Sequence, residues 1–584
     1  MSPAAGVEGD AGDRSWYAHY PPEVPHQVEV PNRRLPDVIE DSVVRHPQRT
    51  AFVFYGARTS YEEFWTEAGR FAAALQREGV GVGDRVAIHL PNCPLYPLAF
   101  FGALRLGATV VQVSPLYHGQ DLTRVLEDAR PRALVTLEIL YAHVQELSPE
   151  VRPPLVYVAR LREFYPLWKR PLVNLVLRRR GQSTKFPKGR DVRPWRTVRS
   201  GPRTFGAPPP GDPSRDTAVL QYTGGTTGRA KAAMLTHRNL VANALQCRAW
   251  FPGGSRDAQI VLAAIPFFHV YGMTVALNYP LVNGGTIVLQ LRPDVPEILK
   301  LIDRYRPTEF PGVPALYQGI NQNALTPKYR LDSIRACLSG SAPLPLEVAR
   351  SFEKITGGRL VEGYGLTEAS PVTHANPVEG ERREGSIGLP FPSTDQRVVD
   401  LESGARVLGA GEVGELEVRG PQVMLGYYGQ PEETAGVRHD GWLRTGDIAR
   451  IDADGYAYIV DRKKDMIDVG GFNVYPREVE EVLFQHPKVL DVAVVGVPDE
   501  RLGEVPHAVV VRKPGTDVAA VELIEFVRTR LAHYKAPRTV EFREVLPRNA
   551  VQKVLRRELR LTAAAALAAT PSRPGVDDAS PISS

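Results

Sequence analysis

The twelve residues Leu220-Gln-Tyr-Thr-Gly-Gly-Thr-Thr-Gly-Arg-Ala-Lys231 hold three glycines, three threonines, an arginine and a lysine. Ala218-Val219-Leu220 reads as a buried strand that empties into this loop. Gly224, Gly225 and Gly228 let the backbone fold tightly and turn its N–H groups toward one point. Thr223, Thr226 and Thr227 add hydroxyl donors, and Arg229 and Lys231 add positive charge. Such a concavity is a nest for an anion with several oxygens, above all a polyphosphate. A Walker A loop is excluded, because no Gly-x-x-x-x-Gly-Lys-Ser/Thr spacing can be drawn through it.

Further chemistry-bearing segments follow in order. They are Met234-Leu-Thr-His237, Ile265-Pro-Phe-Phe-His269, Glu362-Gly-Tyr-Gly-Leu-Thr-Glu368, Gly441-Trp-Leu-Arg-Thr-Gly-Asp447, and Asp461-Arg-Lys-Lys-Asp-Met-Ile467 running on to Gly471-Phe-Asn-Val-Tyr-Pro476. A weaker one, Leu546-Pro-Arg-Asn-Ala-Val-Gln-Lys553-Val-Leu-Arg556, stands near the end. Together with the glycine-rich loop these resemble the adenylate-forming superfamily of acyl-CoA synthetases, luciferases and adenylation domains. The resemblance covers residues 35 to 560 and leans toward medium- and long-chain fatty acyl-CoA ligases, since glycine stands at 224 where many relatives have serine.

The resemblance implies a reaction and a set of roles. A carboxylate is a poor acyl donor; joining it to AMP at the expense of ATP supplies a leaving group, and the thiol of CoA then attacks. The 223–231 loop would grip the β- and γ-phosphates. Tyr364, with Gly365 beside it, would lie against adenine, and Gly340-Ser341-Ala342-Pro343 would line the adenine pocket. The Thr367 hydroxyl would meet the α-phosphate, and the Glu368 carboxylate would hold Mg²⁺, which favours hard oxygen ligands. Asp447, read here in a glycine-flanked turn, can bridge two ribose hydroxyls, or instead close an Asx-turn or a helix cap. Arg462 would be the second ribose contact. Lys553 would be the catalytic lysine, its ammonium bridging substrate carboxylate and α-phosphate. Here the family's common Ser-Gly-Lys is replaced by Val551-Gln552-Lys553. His269 would border the acyl tunnel, Gly471 would open a passage for pantetheine, and Lys464 would be the hinge. Two alternatives stay open: a fatty acyl-AMP ligase loading an acyl carrier protein, and a non-catalytic homologue binding nucleotide or acyl chains.

These groups need large scaffolds, and 584 residues with 43% apolar content can build more than one domain. Phe64, Phe71 and Leu75 mark a helix face; Arg85–Leu90, Ala108–Val113, Ala133–Leu137 and Thr286–Leu289 read as strands. Such alternation implies an α/β architecture: a large N-terminal domain of helix-covered sheets over 31–461, then a small mobile α+β domain over 462–562. Residues 1–30 and 563–584 read as disordered, the latter an alanine run with little to bury. No run of 18 apolar residues occurs, no signal-peptide layout is present, and Cys93, Cys247 and Cys337 are scattered, so a reducing cytoplasm is expected.

Charge is unevenly placed. Arg160 to Arg203 holds fourteen Lys and Arg against Glu163 and Asp191, a net of +12, leaving −7 for the rest of a chain whose total is +5. Aromatic interleaving is sparse and no nucleic-acid motif appears, so nucleic acid is not the expected partner. Within 164–180, Pro171 can open a helix whose Leu172, Leu175 and Val176 share a face, with arginines closing it. That arrangement suits the surface of an anionic bilayer; the alternative is an insertion packing its apolar face on its own domain.

Overall fold

The computed structural model describes residues 14–182, 185–223, 231–251, 259–499, 501–549 and 553–569. The fold is α/β, and the chain divides into two compact units. One runs to Thr445 and includes Ala449–Ile459; the other is Gly446–Ile448 with the chain from Val460 onward.

The larger unit is built on an eight-stranded sheet. Its order is Gly426–Tyr427, Lys231–Thr236, Thr217–Thr223, Thr109–Val113, Arg85–His89, Ala133–Leu137, Leu155–Ala159 and Val192–Pro194. From Thr217–Thr223 to the Val192 edge every pairing is parallel, and three of these six strands bury every side chain. Their near-continuous apolar runs have that cause: helices cover both faces. The helix Tyr61–Arg77 shows how local sequence sets one of them. Ser60 Oγ accepts from the Glu63 N–H while Glu63 accepts from the Ser60 N–H, and Phe64, Phe71 and Leu75 are fully buried. A second sheet sets Ala336–Ser339 parallel to Arg359–Gly365, which pairs antiparallel with Val372–Ala375.

The smaller unit is organised by Val489–Asp499 and Gly503–Arg512, paired antiparallel, with Thr539–Arg543 parallel to the latter. Alternate residues serve opposite faces. Val492, Val494, Ala508 and Val510 join one core, whereas Ala493, Val495, Val509 and Val511 join another with Leu559 and Ala563 of the helix Arg556–Ala569. The apolar run from 489 is therefore a strand buried on both sides.

Two expectations of disorder give way. From Arg14 the N-terminal segment is packed: Trp16 and Tyr20 are buried, Tyr20 sits edge-on to Trp250, and the Arg14 guanidinium pairs with Asp395 at 2.9 Å. Aromatic anchors compensate for the segment's polar composition. The alanine run at 563–569 continues a helix, since alanine is the strongest helix former and Ala563 has a core to enter. Residues 1–13 and 570–584 lie outside the described residues.

Candidate functional site

Thr223 and Lys231 face each other as the last register pair of an antiparallel ladder, with the Thr223 hydroxyl donating to the Lys231 carbonyl at 3.3 Å. Gly224, Gly225, Thr226, Thr227, Gly228 and Arg229 lie outside the described residues, so the structure fixes only where that loop leaves and returns. It leaves at the carboxyl end of a strand that runs parallel to its neighbour Thr109–Val113, the end at which open α/β sheets take ligands.

Beside these ends lies a chain of polar contacts. Lys231 Nζ is 2.6 Å from Glu433 Oε2 and 5.5 Å from the Tyr427 ring centroid. The Tyr427 hydroxyl donates to Glu368 Oε1 at 2.7 Å. Burial, then the Glu368 charge, pushes the Tyr427 phenol well above its ordinary range, so it remains a donor. The Glu368 carbonyl accepts from the Met424 N–H at 2.7 Å. Glu368 is thus aimed by Tyr427 with one carboxylate oxygen outside that bond, and Thr367 begins the same short 3-10 turn, Thr367–Ala369. Sequence reading did not single out Tyr427 or Glu433; neither carries a local signal, as Tyr427 is 59 residues from Glu368.

Tyr364 is held by a network the sequence also hid. Its ring lies edge-on to His374 at 5.8 Å. Burial pushes the His374 imidazole down to about 4, keeping it neutral. Gln396 donates its amide to the Gly455 carbonyl, so its Oε1 accepts from His374 Nε2 at 3.0 Å, and Nδ1 accepts from the Thr373 hydroxyl at 2.9 Å. Gly365 is dictated by space, since a Cβ there would fall 2.1 Å from the Pro371 carbonyl oxygen.

Gly340 follows the strand Ala336–Ser339, next in space to the strand ending at Tyr364-Gly365. A Cβ at 340 would stand 3.1 Å from Tyr271 Cζ, and the Tyr271 hydroxyl donates to the Leu338 carbonyl at 2.6 Å. Ser341 takes a left-handed φ of 70°, with Ala342 and Pro343 continuing the loop. Tyr271 also donates its N–H to His269 Nδ1 at 3.3 Å, so His269 caps the turn Val270–Gly272 ahead of a π-helical segment, Met273–Asn278. Such segments recur at functional sites. Tyr271 therefore ties the His269 segment to Gly340, a link no spacing revealed.

In the smaller unit Asp447 is buried and Arg462 Nε stands 3.3 Å from its carboxylate. Asp447 is not in a turn: it lies inside the strand Trp442–Ile451, and the left-handed φ of 71° at Gly446 bends that strand without ending it. Lys553 is half-buried; its N–H donates to Asn549 Oδ1 at 2.9 Å, and its carbonyl accepts from the Asn549 N–H at 2.9 Å. Burial pushes its ammonium down to about 7, with Arg462 acting in the same direction and Asp447 against it. Val551 and Gln552 lie outside the described residues. Lys464 sits in the exposed turn after Ala457–Arg462. Gly470 and Gly471 form the two-residue connection between Ile467–Val469 and Phe472–Val474, at φ 61° and 89°. That turn alone requires both glycines, and no atom lies within 4 Å of a Cβ placed at 471.

The donors fit a nucleotide with its magnesium. Among the described residues no group of three or more His, Cys, Asp or Glu could hold a metal. A single oriented carboxylate suits Mg²⁺, which takes its remaining ligands from phosphate and water.

Comparisons with known proteins give the chain its family. The AMP-binding enzyme family matches residues 39–428, and the AMP-binding enzyme C-terminal domain matches 478–553. A long-chain-fatty-acid–CoA ligase of Bacillus subtilis is 44% identical over 94% of this chain and 97% of its own. ATP-bound MatB from Rhodopseudomonas palustris superposes with a TM-score of 0.77 at 30% identity, over 91% of this chain and 99% of that one. The anthranilate CoA ligase AuaEII, in complex with anthranoyl-AMP, gives 0.80 at 26% identity over 93% and 99%. With the family's main model matched over 39–428, its C-terminal model over 478–553, and a relative 44% identical over 94% of the chain, this chain belongs to the AMP-binding enzyme family.

Proposed function

We propose that the protein is an acid–thiol ligase that activates a medium- or long-chain fatty acid with ATP and transfers it to CoA. The observation that carries this is the 44% identity, over 94% of the chain, to a protein named for that activity. In the first step a carboxylate oxygen attacks the α-phosphorus and the bond to pyrophosphate breaks. In the second the CoA sulfur attacks the acyl carbonyl, AMP leaves with the electron pair, and the thiol proton passes to solvent.

Lys231, with Thr223 and the loop between them, holds the β- and γ-phosphates. Tyr364 faces adenine, with Gly340-Ser341-Ala342-Pro343 around it, and the Thr367 hydroxyl donates to the α-phosphate. Mg²⁺ bound to Glu368 and phosphate oxygens would neutralise charge as pyrophosphate departs. Asp447 and Arg462 bind the ribose, Lys553 bridges the two reacting anions, His269 borders the acyl chain, and Gly471 leaves room for pantetheine. Lys464 is the hinge. Positioning and charge stabilisation supply most of the rate.

The test is pyrophosphate release over carboxylic acids from acetate to oleate, with hydroxamate trapping of acyl-AMP, with and without CoA. Thioester formation that peaks at longer acids is expected. Adenylate without thioester would favour a carrier protein as acceptor, and no product with any acid would overturn the proposal.

Two variants probe the Glu368 array. Tyr427→Phe keeps the ring beside Lys231 but removes a hydrogen bond to a charged group, so kcat/KM for adenylation should fall about ten- to a hundredfold. An unchanged value would show that Glu368 needs no such orientation. Glu433→Gln removes the carboxylate that now holds Lys231. A half-exposed ion pair of this kind is worth about 1 kcal/mol or less, so KM for ATP should drop by about two- to fivefold. A rise in KM would mean that Glu433 positions Lys231 rather than competing for it.

A further inference from the structure

The sequence left open whether the apolar face of 164–180 packs against its own domain. In the structure it does not. The helix Arg170–Arg179 buries Leu177 alone, whereas Leu172, Leu175 and Val176 are 58%, 46% and 40% exposed. Just ahead of it Leu167 and Trp168 are 75% and 76% exposed. Leu172, Leu175 and Val176 stand at helical spacing on one side, and Leu167 and Trp168 belong to the 3-10 turn Leu167–Lys169 that runs directly into the helix. Few proteins leave a tryptophan and three leucines together in water without a partner.

The charge around this surface says which partner. From Phe164 to Arg190 there are eight Lys and Arg and no Asp or Glu. Two of these cations fasten the element to its own domain. Lys169 Nζ donates to the Tyr55 carbonyl at 2.7 Å, and Arg170 donates to the Tyr165 and Glu163 carbonyls at 3.1 and 3.0 Å. Arg178, Arg179 and Arg180 close the helix exposed, and Lys185, Lys188 and Arg190 follow, exposed as well. Among the described residues no helix is long and apolar enough to cross a membrane.

We propose that the face formed by Leu167, Trp168, Leu172, Leu175 and Val176 docks the protein on the surface of an anionic phospholipid bilayer. The apolar groups enter the headgroup–acyl boundary, where tryptophan is favoured, and Arg178–Arg180 pair with lipid phosphates. Lys169 and Arg170 fix the element so that little ordering is left for the moment of docking. This proposal does not rest on the ligase reading.

The test is sedimentation of the full chain with vesicles, either equal parts phosphatidylglycerol and phosphatidylcholine or phosphatidylcholine alone. Binding to the anionic vesicles only is expected. Arg178→Gln/Arg179→Gln/Arg180→Gln should lower the partition coefficient about a hundredfold, from about 1 kcal/mol per cation. Leu172→Ser/Leu175→Ser/Val176→Ser should lower it at least about tenfold. Both variants should keep the parent's vesicle-free melting temperature. As a readout independent of folding, brominated phosphatidylglycerol should quench parent fluorescence, and Trp168→Phe should lose that quenched component. Equal pelleting of parent and both variants, no quenching assigned to Trp168, or a self-association that the serine variant abolishes would each overturn the proposal.

Discussion

Lys553→Ala is expected to lower acyl-AMP formation by about a hundred- to a thousandfold, while thiolysis of supplied acyl-AMP stays within about threefold of the parent. The asymmetry arises because only the first step brings two anions together, and a single ammonium that touches both is worth most when each is desolvated. The same burial has a pH signature. The Lys553 ammonium, pushed from 10.5 to about 7, is charged in the unfolded chain but not in the folded one between those values. Across that window the unfolded state binds more protons, so stability rises with pH; below about pH 7 the folded chain carries the full cost of a buried cation. Lys553→Gln should therefore melt above the parent at pH 6.5, by on the order of 2 kcal/mol, with the gap closing by about pH 10. Adenylation needs the ammonium, so kcat/KM should decline as pH rises through about 7, and the limb in kcat should lie higher, because bound phosphates favour the charged form. Equal loss of both half-reactions in Lys553→Ala would remove Lys553 from the first step. A melting gap independent of pH would remove the buried charge.

What could be read beforehand follows from the range of the interactions. Strands and caps are local: the Ser60–Glu63 box and the apolar run at 217–223 announce themselves within a few residues. Even the signature residues Thr236-His237 have a local structural task, for Thr236 caps the helix His237–Trp250 by accepting from the Asn239 N–H. Asp447 was misplaced because two nearby glycines both punctuate the sequence. Only Gly441 makes a hairpin turn, while Gly446 bends a strand that continues. Tyr427, Glu433, Tyr271 and His374 escaped notice for the opposite reason. Each acts through a partner brought near by the sheets, as Lys231 and Glu433 are 202 residues apart. Residue type carries no trace of such pairings.

Gly365→Ala should cost at least about a hundredfold in adenylation while the protein still folds. The added methyl would meet the Pro371 carbonyl oxygen at 2.1 Å, its carbon at 2.7 Å and the Val372 Cα at 3.0 Å. All three are backbone, so no rotamer change relieves the contact. The Leu366 N–H donates to that same Pro371 carbonyl at 3.1 Å, and the Gly365–Val372 pairing sits at a register shift in the ladder. Separating the two backbones moves the turn that carries Thr367 and Glu368, and with it the Met424 contact to the Glu368 carbonyl. Overpacking of this kind costs about 1–3 kcal/mol, which a domain with so large a core survives. A displacement of about 1 Å at groups aimed at a developing charge is enough for the loss of rate. The expected pattern is a melting temperature lowered by a few degrees, unchanged secondary structure, and pyrophosphate release reduced for every acid alike. Parental activity in a folded Gly365→Ala chain would mean that this backbone contact does not position Thr367 and Glu368.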